Sequence, residues 1–301
     1  PLLALKVDVD TWRGTREGVP RLLRLLERHG AGATFLFSLG PDHTGRAIRR
    51  VFRRGFLQKV SRTSVVEHYG IRTLLYGTLL PGPDIGVREA PLMRSVRDQG
   101  FETGIHTWDH IRWQDHVAHA NPQWTRNEMR KAVERYREVF GAAPRTHGAA
   151  GWQMNEAAYA IEREFGFDSA SDGRGPHPFQ PVDARGEPLG VPQLPTTLPT
   201  LDELIGLDGL APDNVHEHLL ALTERAPSQG HVYTLHAELE GMRLAGAFER
   251  LLAGWKAQGY TLVSTRTLFD AARRTGLARH RVAIGAVAGR SGTLAIQGAA
   301  A

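Results

Sequence analysis

Asp8 and Asp10 stand two positions apart in the stretch LALKVDVDTW, residues 3 to 12. In an extended chain successive side chains alternate, so Lys6, Asp8 and Asp10 share one face while Val7 and Val9 share the other. Two carboxylates about 7 Å apart on one face repel each other and lose hydration unless a cation, a proton or water relieves them. A second polar cluster, GIHTWDH at residues 104 to 110, sets His106 and His110 at i and i+4. If the chain turns helical there, both imidazoles lie on one face, a common arrangement of two ligands on one metal. A third, VYTLHAE, places His236 at the end of an apolar run. Two histidines and one carboxylate leave coordination positions open and suit Zn2+, Co2+, Mn2+, Ni2+ or Fe2+. With His236 opposite, the set has the parts of a hydrolytic site: metal, base on one side, acid on the other.

Each cluster follows a run that reads as a strand. Short apolar runs at 3–9, 33–39, 101–106, 167–170, 231–236 and 261–264 alternate with helical patterns near 19–29, 90–99, 125–140, 213–224 and 245–258. That rhythm predicts β/α units around a parallel sheet, closed into a distorted barrel of about seven strands. No fixed-period repeat or dividing linker interrupts it, so a single domain over 1–301 is expected. Two stretches depart from the rhythm: a basic segment with an apolar follow-on (46–86), and the Pro-rich GVPQLPTTLPTLDELIG (190–206). Insertions between barrel strands usually build the active-site rim, which is where both are expected. The Gly- and Ala-rich tail, 277–301, reads as loosely packed.

A chain of 301 residues with 41% hydrophobic content can bury a substantial core. Its basicity is local: eight Lys/Arg and one Glu lie between Arg46 and Arg72, a net of +7 against +5 for the whole chain. There Ile48, Phe52, Phe56 and Val60 recur at spacing four, with Arg49, Arg50, Arg53 and Arg54 around them. This pattern predicts an amphipathic helix that lies in a membrane interface, cations on anionic headgroups, followed by an uncharged LLYGTLLPG suited to a polyprenyl chain. Nucleic acid is disfavoured as the acidic partner, because no zinc finger, RNP-like run or clear helix-turn-helix accompanies the charge. There is no cysteine, hence no disulfide framework or thiolate metal site. With no visible secretory leader and no apolar run near the roughly 18 residues that span a bilayer, a cytoplasmic protein held peripherally at the inner membrane is expected. His116 with His119, and His216 with His218, lack a supporting carboxylate motif and read as surface residues.

Taken together, Asp8/Asp10, His106-Thr-Trp-Asp-His110 and Leu235-His236 resemble the polysaccharide deacetylase (NodB-like, carbohydrate esterase) family. The stretches DVDTWRGTREGVPRLL, FSLGPDHTGR, HTWDHIRWQ, SDGRG and TLHAELEG are similar to the branch of that family that deformylates a 4-formamido sugar carried on undecaprenyl phosphate. The resemblance implies a distorted (β/α) barrel and one divalent ion, Zn, Mn, Co or Ni, on Asp10, His106 and His110. It implies Asp8 as base, His236 as acid, and a lipid-linked amino-sugar substrate. This chain departs from the family in two places. Val9 separates acids that are usually adjacent, and the third motif's arginine is missing from GAAGW (148–152), so Arg13 or Arg174 is expected to replace it or to bind phosphate. Trp152 and Asp172 are further candidates for substrate contact or for orienting a neighbour. An N-acetyl-sugar or peptidoglycan deacetylase keeps the chemistry and changes the substrate. A non-haem iron oxygenase uses the same triad but usually sits on an all-β fold, and a catalytically silent membrane module leaves the base and acid unexplained.

Overall fold

The computed structural model describes residues 1–47 and 72–301. The basic helix expected around Arg49, Arg50, Phe52, Arg53, Arg54 and Phe56 therefore lies outside the described residues. The central strand, β1 (Leu2–Val9), is buried from Leu3 onward, as a parallel strand covered on both faces must be. Around it run β2 (Thr34–Ser38), β3 (Glu102–Thr107), β4 (Thr146–His147), β5 (Ser169–Ala170), β6 (Phe179–Val182), β7 (His231–His236) and β8 (Thr261–Val263). All except β6 join β1 in a seven-stranded parallel sheet of order β5-β4-β3-β2-β1-β7, with β8 against the first half of β1.

The gap between β5 and β7 is bridged by the Pro-rich stretch. Ala170 N donates to Pro192 O (2.9 Å), Leu194 N to Ala170 O (2.7 Å) and Thr197 N to Val232 O (3.0 Å). The first part of 190–206 is thus barrel wall, where the sequence pattern points to rim. Prolines are tolerated in such a strand because it pairs irregularly and lacks a full ladder of donors.

Helices α1 (Val19–His29), α2 (Ala90–Asp98), α3 (His110–His116), α4 (Pro122–Phe140), α5 (Glu156–Glu164), α6 (Val215–Leu222), α7 (Ala245–Ala257) and α8 (Thr265–Thr275) lie outside the sheet. Their ends follow local chemistry. Asn121 caps α4 by accepting from Trp124 N (2.9 Å), and Gly141, at φ 67°, ends it. The alternation along β1 divides the interior in two. Leu3, Leu5, Val7 and Val9 pack outward into the main core with Leu22, Phe35 and Phe37, whereas Ala4 joins Leu194, Val232, Val263, Leu268 and Phe269 in an apolar plug. Each buried leucine or phenylalanine there stabilises by about 1.5–3 kcal/mol. Further along the same face of β1 come Lys6 and then Asp8, so the plug lies beneath a buried polar chamber of side chains towards the strands' C-terminal ends.

The tail, 277–301, has regular structure although most of its side chains are exposed or half-buried. It forms the hairpin β9 (Ala278–Gly285) and β10 (Leu294–Ala300), which joins β6 in a second, three-stranded sheet. Leu294 and Ala295 are buried, and the guanidinium of Arg290 lies 4.5 Å from the Trp152 ring.

Candidate metal centre and active site

Three chain segments meet at the mouth of the chamber. Asp10 follows the end of β1, His106 lies near the end of β3, and His110 opens α3. His106 and His110 therefore do not share a helix face: the chain bends between them, and Asp109 caps α3 by accepting from Arg112 N (3.1 Å). Their ring centroids are nonetheless 5.2 Å apart. One ligand atom from each of Asp10, His106 and His110 lies within 4.8 Å of the other two. Nε2 of His106 is 3.1 Å from Asp10 Oδ1, and Nε2 of His110 is 3.5 Å from Asp10 Oδ2.

The donor set fits a cation. Nδ1 of His106 donates to the Gly148 carbonyl at 2.7 Å, an oxygen that can only accept. That leaves the Nε2 lone pair facing Asp10 Oδ1, which is buried and has no hydrogen-bond partner. Two acceptors in contact repel unless a positive ion lies between them, and a backbone carbonyl behind a ligating histidine is the usual way to fix its tautomer. His106 is sealed from solvent while Asp10 and His110 keep 13% and 16% of their side-chain surface, so one side of the triad is open. Burial by itself raises the Asp10 carboxyl, but positive charge beside it, at His110 foremost, outweighs burial and holds the group below the usual carboxylate range.

Asp8 and His236 flank this triad because β1 and β7 pair in parallel with the two residues in register. Asp8 Oδ1 is buried without a partner, 3.8 Å from His106 Nδ1, and Oδ2 lies 3.4 Å from Lys6 Nζ. The His236 backbone N–H donates to Glu240 Oε2 at 2.9 Å, and its Nδ1 is 3.9 Å from Asp202 Oδ1. Burial opposes a charge on His236, yet Asp202, Asp10, Glu240 and Asp8 together raise it to about 9. Such a histidine carries the proton a general acid needs. Glu238 clamps the metal loop, accepting through Oε1 from Asp10 N (3.1 Å), Thr11 N (2.8 Å) and Thr11 Oγ1 (2.8 Å), and burial pushes its carboxyl up to about 8.

The remaining candidates lie beside or behind this set. The guanidinium of Arg174 is committed to Glu203 Oε1 (2.6 Å) and Leu198 O (3.0 Å), inside the protein rather than at an open phosphate site. Asp172 is fully buried beside His147 and Glu162 and does not face the mouth. Trp152, buried at φ 53°, hydrogen-bonds Thr196 Oγ1 (3.2 Å) and stacks under Arg174 and Arg290. A left-handed φ at a bulky residue costs about 1–3 kcal/mol and persists only where the surroundings enforce it. Arg13, paired with Glu17 at 3.1 Å, lines a cleft of about 450 Å3 with Arg21, Glu238 and Arg243. Sequence reading gave no role to two residues beside these groups. Lys6 carried a signal, as the one charge inside an otherwise apolar run before Asp8. Glu162 carried a fainter one, an acid among the buried positions Ala158, Tyr159 and Ile161 of a helix the pattern did not reveal.

Comparison with known proteins agrees with this fold. Residues 3–170 match the family model described as polysaccharide deacetylase. A Shewanella sediminis protein named "Probable 4-deoxy-4-formamido-L-arabinose-phosphoundecaprenol deformylase ArnD" is 38% identical over 269 residues, 89% of this chain and 86% of its own length. Among solved structures, a Mycobacterium smegmatis protein assigned to the polysaccharide deacetylases superposes with a TM-score of 0.62 at 17% identity, covering 95% of each chain. A family 4 acetyl xylan esterase from Clostridium thermocellum, in complex with a cobalt ion, does so at 0.52 and 14% identity, covering 90% of this chain and 91% of the esterase. The parallel β/α barrel they share is not the all-β frame of the iron-oxygenase alternative.

Proposed function

Because the chain belongs to the polysaccharide deacetylase family, we propose that it is a metal-dependent amide hydrolase acting on undecaprenyl-phosphate-linked 4-deoxy-4-formamido-L-arabinose, in the lipid A modification that confers polymyxin resistance. The observation that carries the site assignment is the register of Asp8 with His236 on either side of a triad whose facing atoms are acceptors. Asp10, His106 and His110 would hold a divalent ion, which would supply Lewis-acid polarisation of the formyl carbonyl and a water pKa lowered towards about 7. Asp8 takes a proton from the attacking water at its unpartnered Oδ1. His236 gives a proton to the sugar nitrogen as the C–N bond breaks, so the products are formate and a free amine. Incubating metal-loaded protein with the formamido-arabinosyl phosphoprenol and with its acetamido analogue tests this. Formate from the first is expected; acetate alone moves the protein to the N-acetyl-sugar deacetylases, and release of neither with Zn, Mn, Co or Ni sinks the reading.

A lipid-linked substrate brings the enzyme to a membrane surface. Among the described residues no helix is long and apolar enough to cross a bilayer. Leu79, 80% exposed, belongs to a segment that reaches the metal loop through the edge contact of Tyr76 with Trp12, ring centroids 6.2 Å apart. Peripheral attachment through this segment and the basic one before it predicts sedimentation with anionic vesicles at low salt that is lost on neutralising Arg49, Arg50, Arg53 and Arg54. Protein that stays in the supernatant removes the attachment.

A further inference from the structure

Lys6 is sealed inside the barrel, with none of its surface exposed. A lysine in such a place needs its ammonium partnered, since an isolated buried charge is prohibitively costly. Three partners surround it. Nζ donates to the Ser171 carbonyl at 3.0 Å, lies 3.4 Å from Asp8 Oδ2, and sits 5.5 Å from the centroid of the Trp152 ring. The barrel is built around this side chain. A Cβ at Gly148 would come within 2.4 Å of Leu36 Cδ1, 2.9 Å of Lys6 Cε and 3.2 Å of Nζ, so a side chain there would crowd both the leucine and the end of the lysine. Residue 148 is also the one whose carbonyl fixes His106. Ser171 precedes Asp172, whose Oδ1 accepts from Ala149 N at 2.9 Å, which ties the two chain segments that bracket Lys6 to each other.

We propose that Lys6 is the positioning residue of the base: its ammonium holds Oδ2 of Asp8 and so fixes the carboxylate, leaving Oδ1, buried and without a hydrogen-bond partner, as the oxygen that receives the proton. The two carboxylate oxygens are thereby made inequivalent, one anchored from below by a cation and one left for proton transfer. An apolar side chain at position 6 leaves Asp8 able to rotate and able to turn towards His106 instead. The inference rests on the assignment of Asp8 as base, and its test separates the two.

The chain has no cysteine, so Lys6→Cys introduces a single thiol. Alkylating it in the unfolded protein, then refolding with metal, gives either a lysine isostere (aminoethylation) or a neutral side chain of similar length (S-propylation). Rates are taken per bound metal ion, with the visible spectrum of the Co2+ form as a second readout. The aminoethyl form is expected to hydrolyse the formamido substrate within about threefold of the parent. The propyl form is expected to lose about 10- to 100-fold in kcat, with KM and the cobalt spectrum unchanged. A propyl form as fast as the aminoethyl form overturns the proposal. So does one that binds no cobalt, because Lys6 is then needed to build the site and not to aim Asp8. Asp8→Asn separates this inference from the reading beneath it. If that substitution leaves the rate near normal, Asp8 is not the base and the proposed mechanism fails. If it lowers kcat by about 10²–10⁴-fold, combining it with the propyl side chain is expected to cost less than about threefold more, and a full additive loss refutes coupling through Asp8.

Discussion

Two clusters of histidine and carboxylate lie within one strand of each other, and they behave in opposite ways. In the first, Asp10, His106 and His110 are open on one side, and Asp10 Oδ1 and its neighbour Asp8 Oδ1 have no hydrogen-bond partner. In the second, His147 Nδ1 lies 2.7 Å from Glu162 Oε1 and 2.8 Å from Asp172 Oδ1. Gln193 Nε2 and Ala149 N, each at 2.9 Å, complete the shell of Asp172. Trp113 and Phe167 close over the imidazole, ring centroids 5.8 and 6.1 Å away. By distance alone both clusters would hold a metal ion. Hydrogen bonding separates them: the sealed cluster has already spent its lone pairs on protons, while the open one faces acceptor to acceptor. Glu162 is accordingly pushed well above the usual range, by burial and by the charge of Asp172, so the pair His147 and Asp172 can be ionised with the third member neutral.

The comparison breaks most sharply on removal of a histidine from each. His106→Ala deletes a proposed ligand together with the link to Gly148, and is expected to strip the metal and lower kcat by about 10³-fold or more, equivalent to about 4 kcal/mol of lost Lewis-acid stabilisation. His147→Asn deletes the centre of the sealed cluster. It is expected to leave one equivalent of metal bound, with affinity lowered by no more than the 10- to 100-fold usual for a supporting residue. Metal content by mass spectrometry after desalting reads both. Equal loss from the two variants would mean that the sealed cluster is itself a ligand set.

What the sequence reveals of each cluster follows from how its members are placed. Asp8, Asp10, His106 and His236 stand at the ends of strands long enough to show as apolar runs, so their convergence follows once a parallel barrel is inferred. His147 sits in β4, whose two residues, Thr146 and His147, leave no periodic trace. Glu162 comes from a helix that the pattern did not reveal, and its partner is set by packing rather than by spacing. Lys6 is visible as the charge inside an apolar strand, but its task depends on Ser171 and Gly148, which only the folded chain brings to it. The wall position of the Pro-rich stretch and the strands of the tail are hidden from the sequence for a related reason. Residues 192–197 and β9 pair with segments distant in the chain, and neither Pro-Thr-Thr nor a Gly/Ala-rich composition encodes a partner.

A smaller effect sharpens the same contrast without touching the metal. Burial opposes a charge on His147, but Asp172 and Glu162 raise it to about 9, against about 6.5 for an ordinary histidine. A folded-state value above the unfolded one stabilises fully below pH 6.5 and is lost as pH rises through 9, because the native protein then gives up a proton that the unfolded chain has already released. A shift of this size corresponds to roughly 2–3 kcal/mol across that window. Glu162, also raised, acts with the same sign. His236, raised to about 9, and Glu238, raised to about 8, release protons over the same range, so the absolute slope belongs to several groups. The difference between parent and His147→Asn removes their share. Urea unfolding of the metal-loaded proteins at pH 6.5 and 9 is expected to show the parent losing stability more steeply than the variant, by about 2 kcal/mol. Parallel pH profiles would show that the imidazole is neutral when folded, and that the sealed cluster stores its proton on a carboxyl alone.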